Sequence, residues 1–447
     1  MFNPRYVFRL IWALLTRFKV LILLSICLGI AIFFGLKFFL PVMARPVSQR
    51  IGIPGRFTPS TLPSEVLGKV GRGLTKLNPE GSVEPDLASF WETPDKGKTW
   101  IFSLKEGPTW QDGKKVTSHS VNYQFSDVKV ENPDDKTIVF KLQNPYSAFP
   151  SVVSRPVFKS GLLGTGEWEV KKIDLAGTFV NRLTIQNKDG KKITYKFYPT
   201  EERSVLAFEL GEIDTLTHIL NPTPLDRWPK VKLARDTNAG EYTAIFFNTK
   251  DNLLSDKSLR QALSYGINKK ILEGERASVY ARAISPISMN SWAYNSQVKP
   301  YNFDPEKAKS MINDYKKAAK ISELIINLTS SPILLSQAEK ISKDWEAIGV
   351  KVNLQVMASV PSDYQALLAI FDTPEDPDQY SIWHSTQAST NITHYNNPRI
   401  DMLLEDGRTQ INLEDRKKTY LDFQRFLVEE SPAAFLYYPS TYTISRK

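Results

Sequence analysis

Cysteine is nearly absent: Cys27 is the one thiol, and it lies in the apolar N-terminal segment. The rest of the chain therefore offers neither a disulfide nor a Cys-ligated metal site. Histidine is scarce too. His119, His218, His384 and His394 never fall in a His-x-x-x-His or His-Glu-x-x-His spacing, which excludes a zinc-protease motif. No Gly-x-Ser-x-Gly elbow is present. Ser296-Gln-Val-Lys299 matches Ser-x-x-Lys, but it abuts Pro300, and no Lys-Thr-Gly or Ser-Asp-Asn follows. Gly164-Thr165-Gly166 feeds a strand and lacks a lysine in place, so it reads as a turn rather than a phosphate loop. Internal repeats and low-complexity tracts are also missing. Neither a cofactor nor a metal is expected.

Acid is missing from the first fifty residues. Arg5, Arg9, Arg17, Lys19, Lys37, Arg45 and Arg50 give this segment +7, so of the net +9 the remaining chain holds 9 − 7 = +2. A nearly neutral body does not carry the footprint of a nucleic-acid binder. The basic charge belongs to a targeting device. Residues 1–19 read as a cytoplasmic basic segment and residues 20–44 as a transmembrane anchor or uncleaved signal. Cations resist translocation, so the N-terminus stays in the cytoplasm and the body is exported. The apolar run is ~20 residues, enough for ~30 Å of hydrocarbon. A cleavable signal has a shorter core and a small-residue site, which Val42 and Ala44 could supply.

With 447 residues, 42% hydrophobic and 23% charged, the chain has the make-up of a globular protein of two or three domains. Residues 45–64, rich in Pro, Ser and Thr, read as a tether. In KTWIFSLKEG, Trp100, Phe102 and Leu104 alternate on one face of a strand that stops at Gly107-Pro108. Asp112-Gly113 is a hairpin signal, and Thr117 or Ser118 offers a cap for a helix running past Val121. KTIVFKLQNP closes a small β-rich unit. Downstream, Thr200 caps a helix closed by Gly211, and EYTAIFFNT is an apolar strand. Asp304-Pro305 opens another helix. SELIINLTSS, a helix ending at Gly349, and VKVNLQVM form a βαβ unit, so this sheet should be partly parallel. Tyr420, Phe423 and Leu427 form the buried stripe of a late helix.

DPDQYSIWHSTQ (376–387) sets Trp383 beside His384, Ser385, Thr386 and Gln387. An aromatic wall next to aimed hydrogen-bonding groups suits a small-molecule cleft. The acids of Asp376-Pro377-Asp378 read as solvated or capping groups of a turn.

DLASFWETPDKGKTWIFSLKEGPTWQDGKKVTSHSVNYQF (86–125) resembles the N-terminal signature of the family 5 extracytoplasmic solute-binding proteins. These are the peptide-, dipeptide- and nickel-binding receptors of ABC importers. GTGEWEV, AFELGEID, FFNTKDNLLSDKSLRQALSYGINKKIL, YNFDPEKAKSMI, AEKISKDWEAIGVKVNLQ, DPDQYSIWHSTQ and NPRIDMLLEDGR follow in the family's order. The resemblance covers nearly everything from about residue 65 onward.

It implies an α/β, two-lobed periplasmic-binding-protein-like fold (type II, cluster C). A trimmed extra β-rich subdomain at about 81–160 and one preceding N-terminal transmembrane helix complete it. Lobe I would be 46–247, lobe II 248–385, and 386–447 would return to lobe I. AIFFNT and SIWHST would be the crossover strands. Ligand would then meet Trp383, His384, Ser385, Thr386 and Gln387 from one crossover and Phe247 and Asn248 from the other. Peptide-binding members place an aspartate shortly after this tryptophan, whereas here no acid follows it before Asp401.

The expected function is a membrane-anchored extracytoplasmic solute-binding protein of an ABC importer. It would be a monomer, capture a peptide or similar small solute, and work with permease subunits. A surface-anchored sensor without a transport role is the alternative. An exported hydrolase on this scaffold would lack a nucleophile–base pair.

Overall fold

The computed structural model describes residues 4–43, 48–272, 281–359 and 363–447. Apolar alternation builds its sheets. In the strand Thr99–Leu104, Trp100, Phe102 and Leu104 are buried while the residues between them are half-exposed. This strand sits inside a four-stranded sheet with Ala88–Glu92, Thr137–Lys141 and Lys129–Glu131. The Asp112-Gly113 hairpin is present, with Gly113 at φ +81°, a left-handed conformation that glycine adopts freely. Thr117 caps only a single 3₁₀ turn, Ser118–Ser120, rather than the longer helix its sequence suggests.

A seven-stranded sheet forms the core of the first lobe. Its order is Val231–Thr237, Ser440–Arg446, Thr215–Ile219, Ser48–Pro54, Lys192–Tyr198, Phe179–Asn187 and Trp168–Ala176. A five-stranded sheet forms the second, in the order Lys351–Val356, Ile325–Ser330, Ala366–Asp372, Glu241–Phe247 and Ala433–Tyr437. The expected βαβ unit is there: Ile325–Ser330 pairs in parallel with Lys351–Val356, and helix Leu335–Ala347 joins them. Asp304 accepts a hydrogen bond from the Lys307 amide at 3.0 Å and opens helix Pro305–Ala319, a cap worth about 1 kcal/mol. Trp345 is buried on helix Leu335–Ala347 and donates from its indole nitrogen to Leu263 O at 3.0 Å.

Three expectations about chain path need correcting. The strand containing AIFFN is not a crossover but lies inside the five-stranded sheet, between Ala366–Asp372 and Ala433–Tyr437. The chain passes between sheets at 238–240 and again at 438–439, side by side, with Asn238 N donating to Pro439 O at 2.8 Å. SIWHST is not a strand. Tyr380–Trp383 is one helical turn, set up by Asp376 and Asp378, whose carboxylates accept from the amides of Asp378 and Tyr380. Finally, helices Pro398–Thr409 and Leu413–Glu430 stay with the second lobe, because Tyr420, Phe423 and Leu427 are buried in its core. Only Ser440–Arg446 rejoins the seven-stranded sheet.

At the N-terminus, helices Pro4–Arg17 and Lys19–Met43 precede the first strand. Among the described residues no helix is long and apolar enough to cross a membrane. The helix Lys19–Met43 is 25 residues long, and Leu21, Leu23, Leu24 and Ile26 are exposed.

Candidate functional site

A cavity of about 1050 Å³ opens beside the edge strand Trp168–Ala176. Leu67 of helix Ser64–Val70, Phe158, Leu162 and the strand residues Val170, Ile173 and Leu175 make its apolar wall. Ile173 and Leu175 are 36% and 53% exposed, so this wall is open to a guest rather than closed into the core.

Local packing fixes the shape. Gln111 works as a carboxamide clamp: its nitrogen donates to Val70 O, Gly166 O and Trp168 O at 3.1, 3.1 and 2.8 Å. Its oxygen accepts from Gly164 N at 3.1 Å. The Gly164-Thr165-Gly166 turn fits against the end of helix Ser64–Val70. A Cβ on Gly164 would stand 2.2 Å from Val70 O, and one on Gly166 2.3 Å from Lys69 O. These glycines permit backbone contact, the turn reading rather than a phosphate loop.

Four charged groups line the cavity: Asp112, Arg155, Glu169 and Glu375. Asp112 is paired with Lys159 at 2.6 Å, and that hydrogen bond is the main cause holding its carboxyl below the usual range. Glu169 pairs with Lys171 at 2.7 Å. Glu375 comes from the other lobe, on the loop after Ala366–Asp372. Its position is pinned on both sides. Thr373 N donates to Gly240 O at 2.8 Å at the crossover, and Arg416 holds Asp376 with two hydrogen bonds. The cavity thus combines apolar area with a cation on one lobe and a carboxylate supplied by the other. That arrangement can receive an apolar solute bearing charges of both signs.

The sequence-predicted residues lie elsewhere, and none lines this cavity. Trp383 is 1% exposed and packs in the second lobe's core, with ring centroids 6.4 Å from Phe246 and 6.3 Å from Phe435. Its indole N–H finds no partner among the described residues. His384 is buried, stacked 4.1 Å from Tyr380, with Nδ1 2.8 Å from Thr386 Oγ1 and Nε2 3.2 Å from Glu405. Ser385 donates from its amide to Asp401 at 2.9 Å and from its hydroxyl at 2.5 Å. Gln387 reaches Thr386 Oγ1 at 3.3 Å. The stretch is therefore brought together as an internal junction with helix Pro398–Thr409. Phe247 is fully buried. Asn248 lines a second, polar cavity of about 650 Å³ on the second lobe.

Asp376 and Asp378 are capping groups, as read, but they are buried rather than solvated, held by Arg416 and Arg408. Sequence reasoning missed Arg155 and Glu375. Glu375 carried one weak signal, an acid between Pro374 and Pro377 at the start of the stretch 376–387.

The chain belongs to the bacterial extracellular solute-binding proteins, family 5, whose middle region matches residues 82–391. A probable D,D-dipeptide-binding periplasmic protein, DdpA, of Escherichia coli K12 is 24% identical over 422 residues, 79% of each chain. The oligopeptide-binding protein AppA of Bacillus subtilis is 23% identical over 442 residues, 83% of this chain and 80% of that protein. In structure the chain resembles CtaP, an ABC transporter substrate binding protein from Listeria monocytogenes, with a TM-score of 0.73 at 19% identity. That match covers 90% of this chain and 94% of CtaP. NikZ from Campylobacter jejuni, solved with Ni(L-His), gives a TM-score of 0.70 at 23% identity over the same shares. These likenesses establish an α/β periplasmic-binding-protein fold in an extracytoplasmic family.

Proposed function

We propose that this protein is a membrane-anchored solute receptor of an ABC importer. It captures a short peptide or similar amphiphilic solute in the cavity of about 1050 Å³ and presents it to permease subunits. The observation that carries the reading is the composition of that cavity: an apolar wall and Arg155 on one lobe, and Glu375 reaching in from the other. Arg155 suits a carboxylate and Glu375 an ammonium, so a peptide's two termini have partners of opposite sign. The chain crosses between the lobes at two adjacent segments, and hinge motion at 238–240 and 438–439 would open and close the site.

The cations of the first nineteen residues and the apolar run that begins at Val20 in the sequence support single-pass anchoring with the basic N-terminus in the cytoplasm.

Thermal unfolding of the full chain in detergent, with a panel of short peptides, tests the reading. A ligand at 100 times its Kd should stabilise the fold by about 2.7 kcal/mol. Glu375→Gln should lose most of that gain. Equal gains in wild type and variant would remove Glu375 from the site.

A further inference from the structure

The seven-stranded sheet gathers lysines at one of its two ends. Ser48–Pro54 and Lys192–Tyr198 run in parallel, with Ser48 opposite Lys192, and Phe179–Asn187 turns into the latter through residues 188–191. Thr215–Ile219 also runs parallel to Ser48–Pro54, so its antiparallel partner Ser440–Arg446 finishes at this same end, where Val231 lies opposite Arg446. Register thus brings Lys188, Lys191, Lys192, Lys230, Lys232 and Lys447 to the end that Ser48 opens, and all six are exposed. From Lys192–Tyr198 to Val231–Thr237 is a width of about 19 Å at the usual strand spacing.

Most of these charges are unanswered. Among the described residues, Lys188, Lys191, Lys192, Lys230 and Lys232 make no ion pair. Lys447 donates to Pro229 O at 3.0 Å, and Arg446, a further cation, to Phe208 O. Of the acids at this end, Asp214 is held by Arg50 at 2.6 Å, Glu212 by Lys196 at 3.4 Å and Glu169 by Lys171 at 2.7 Å. Glu167 and Asp189 remain. The opposite end differs: the connections 55–63, 177–178, 199–200 and 220–224 contain no lysine. The crossovers to the second lobe, 238–240 and 438–439, also leave from that opposite end.

We propose that the lysine-bearing end of this sheet docks on anionic lipid headgroups. The proposal rests on the membrane-anchor reading above. In the sequence the apolar run that begins at Val20 ends at Ala44, and four residues later Ser48 opens the sheet at its lysine-bearing end. Four residues reach at most about 14 Å, so an anchored chain brings this end to the headgroups first. Within a Debye length, ~8 Å at physiological salt, each lysine shifts docking on an anionic surface by about fivefold. Alone, such a patch binds marginally; the tether gives it a high effective concentration. Docking would fix the first lobe and, with the crossovers at the far end, leave the second lobe free to move.

Headgroup quenching tests this in the full chain held in nanodiscs. A fluorophore is placed at Asp189→Cys or, in the opposite turn, at Thr178→Cys, with Cys27→Ser removing the native thiol. The discs contain nitroxide-labelled phosphatidylcholine, with or without phosphatidylglycerol. Phosphatidylglycerol should raise quenching at 189 severalfold and leave 178 unchanged. Raised salt, or Lys188→Gln, Lys191→Gln and Lys192→Gln together, should remove the increase. Equal quenching at 189 in the two lipids overturns the proposal. So does an equal increase at 178, or an increase that survives raised salt or the triple substitution in a chain that circular dichroism shows folded. A chain that elutes apart from phosphatidylcholine discs overturns the anchor reading and the docking together. Co-elution without the increase at 189 sinks the docking alone.

Discussion

Arg416 is 4% exposed and holds the Asp376 carboxylate with two guanidinium nitrogens. Burial pulls its pKa down, but the charge of Asp376 outweighs this and the net direction is up. Arg416→Met would leave that carboxylate buried and unpaired. We expect a loss of about 3–5 kcal/mol in urea unfolding, and a loss below about 1 kcal/mol would contradict the buried-pair account. Lys269 is the opposite case. Its ammonium is buried among carbonyls, donating to Ser264 O at 2.8 Å and Tyr301 O at 2.7 Å. Burial first, and then Arg282, push its pKa down to about 7. The folded value lies below the unfolded value of about 10.4, so between these pH values the unfolded chain binds the extra proton. Stability from this group therefore rises with pH across that window. Lys269→Met should flatten the rise when unfolding free energies at about pH 7 and pH 10 are compared. An unchanged slope would show that Lys269 titrates normally.

The secondary-structure elements were largely legible because their signals are local. Asp256, Asp304 and Thr200 cap helices from their own sequence neighbourhoods, and two-residue alternation marked the strand Thr99–Leu104. The stretch 376–387 was not legible as a site. Its partners, Asp401, Glu405, Arg408 and Arg416, lie on helices whose docking no local pattern announces. The tryptophan before a polar run packs in the core, with His384 and Ser385 held by Glu405 and Asp401 of a neighbouring helix. Glycine roles also needed contacts. Gly166→Ala would drive a Cβ to 2.3 Å from Lys69 O, and we expect about 1–3 kcal/mol of destabilisation in urea unfolding, with weaker peptide binding. A variant as stable as wild type would mean that the turn relaxes freely.

For the whole molecule, two lobes, a β-rich unit and an N-terminal helix pair have separable roles. The β-rich unit touches both lobes: it packs on the first and meets the second where Ser147 N donates to Arg408 O at 2.7 Å. Arg408 also lies 5.0 Å from the Tyr146 ring centroid. Arg408→Ala should loosen this inter-lobe contact. X-ray scattering would then give a larger radius of gyration in peptide-saturated variant than in peptide-saturated wild type; equal radii would assign Arg408 to the second lobe alone. Deleting residues 1–47 should release the protein from membranes while preserving peptide binding, read by membrane fractionation and titration. A truncated chain that still sediments with membranes would argue against the anchor.

The sequence by itself determined the local elements, the family and the separation of a basic, apolar N-terminus from a neutral body. The elements and the charge separation rest on periodicity, capping and composition, which operate over a few residues, and the family rests on the resemblance of a series of motifs along the chain. Tertiary structure alone decided where the chain crosses between lobes, and that residues 398–437 remain with the second one. It also decided that Glu375, not Trp383, reaches the large cavity. Those outcomes depend on which apolar faces bury one another and which buried charges find partners, across separations of tens to hundreds of residues that no local pattern encodes.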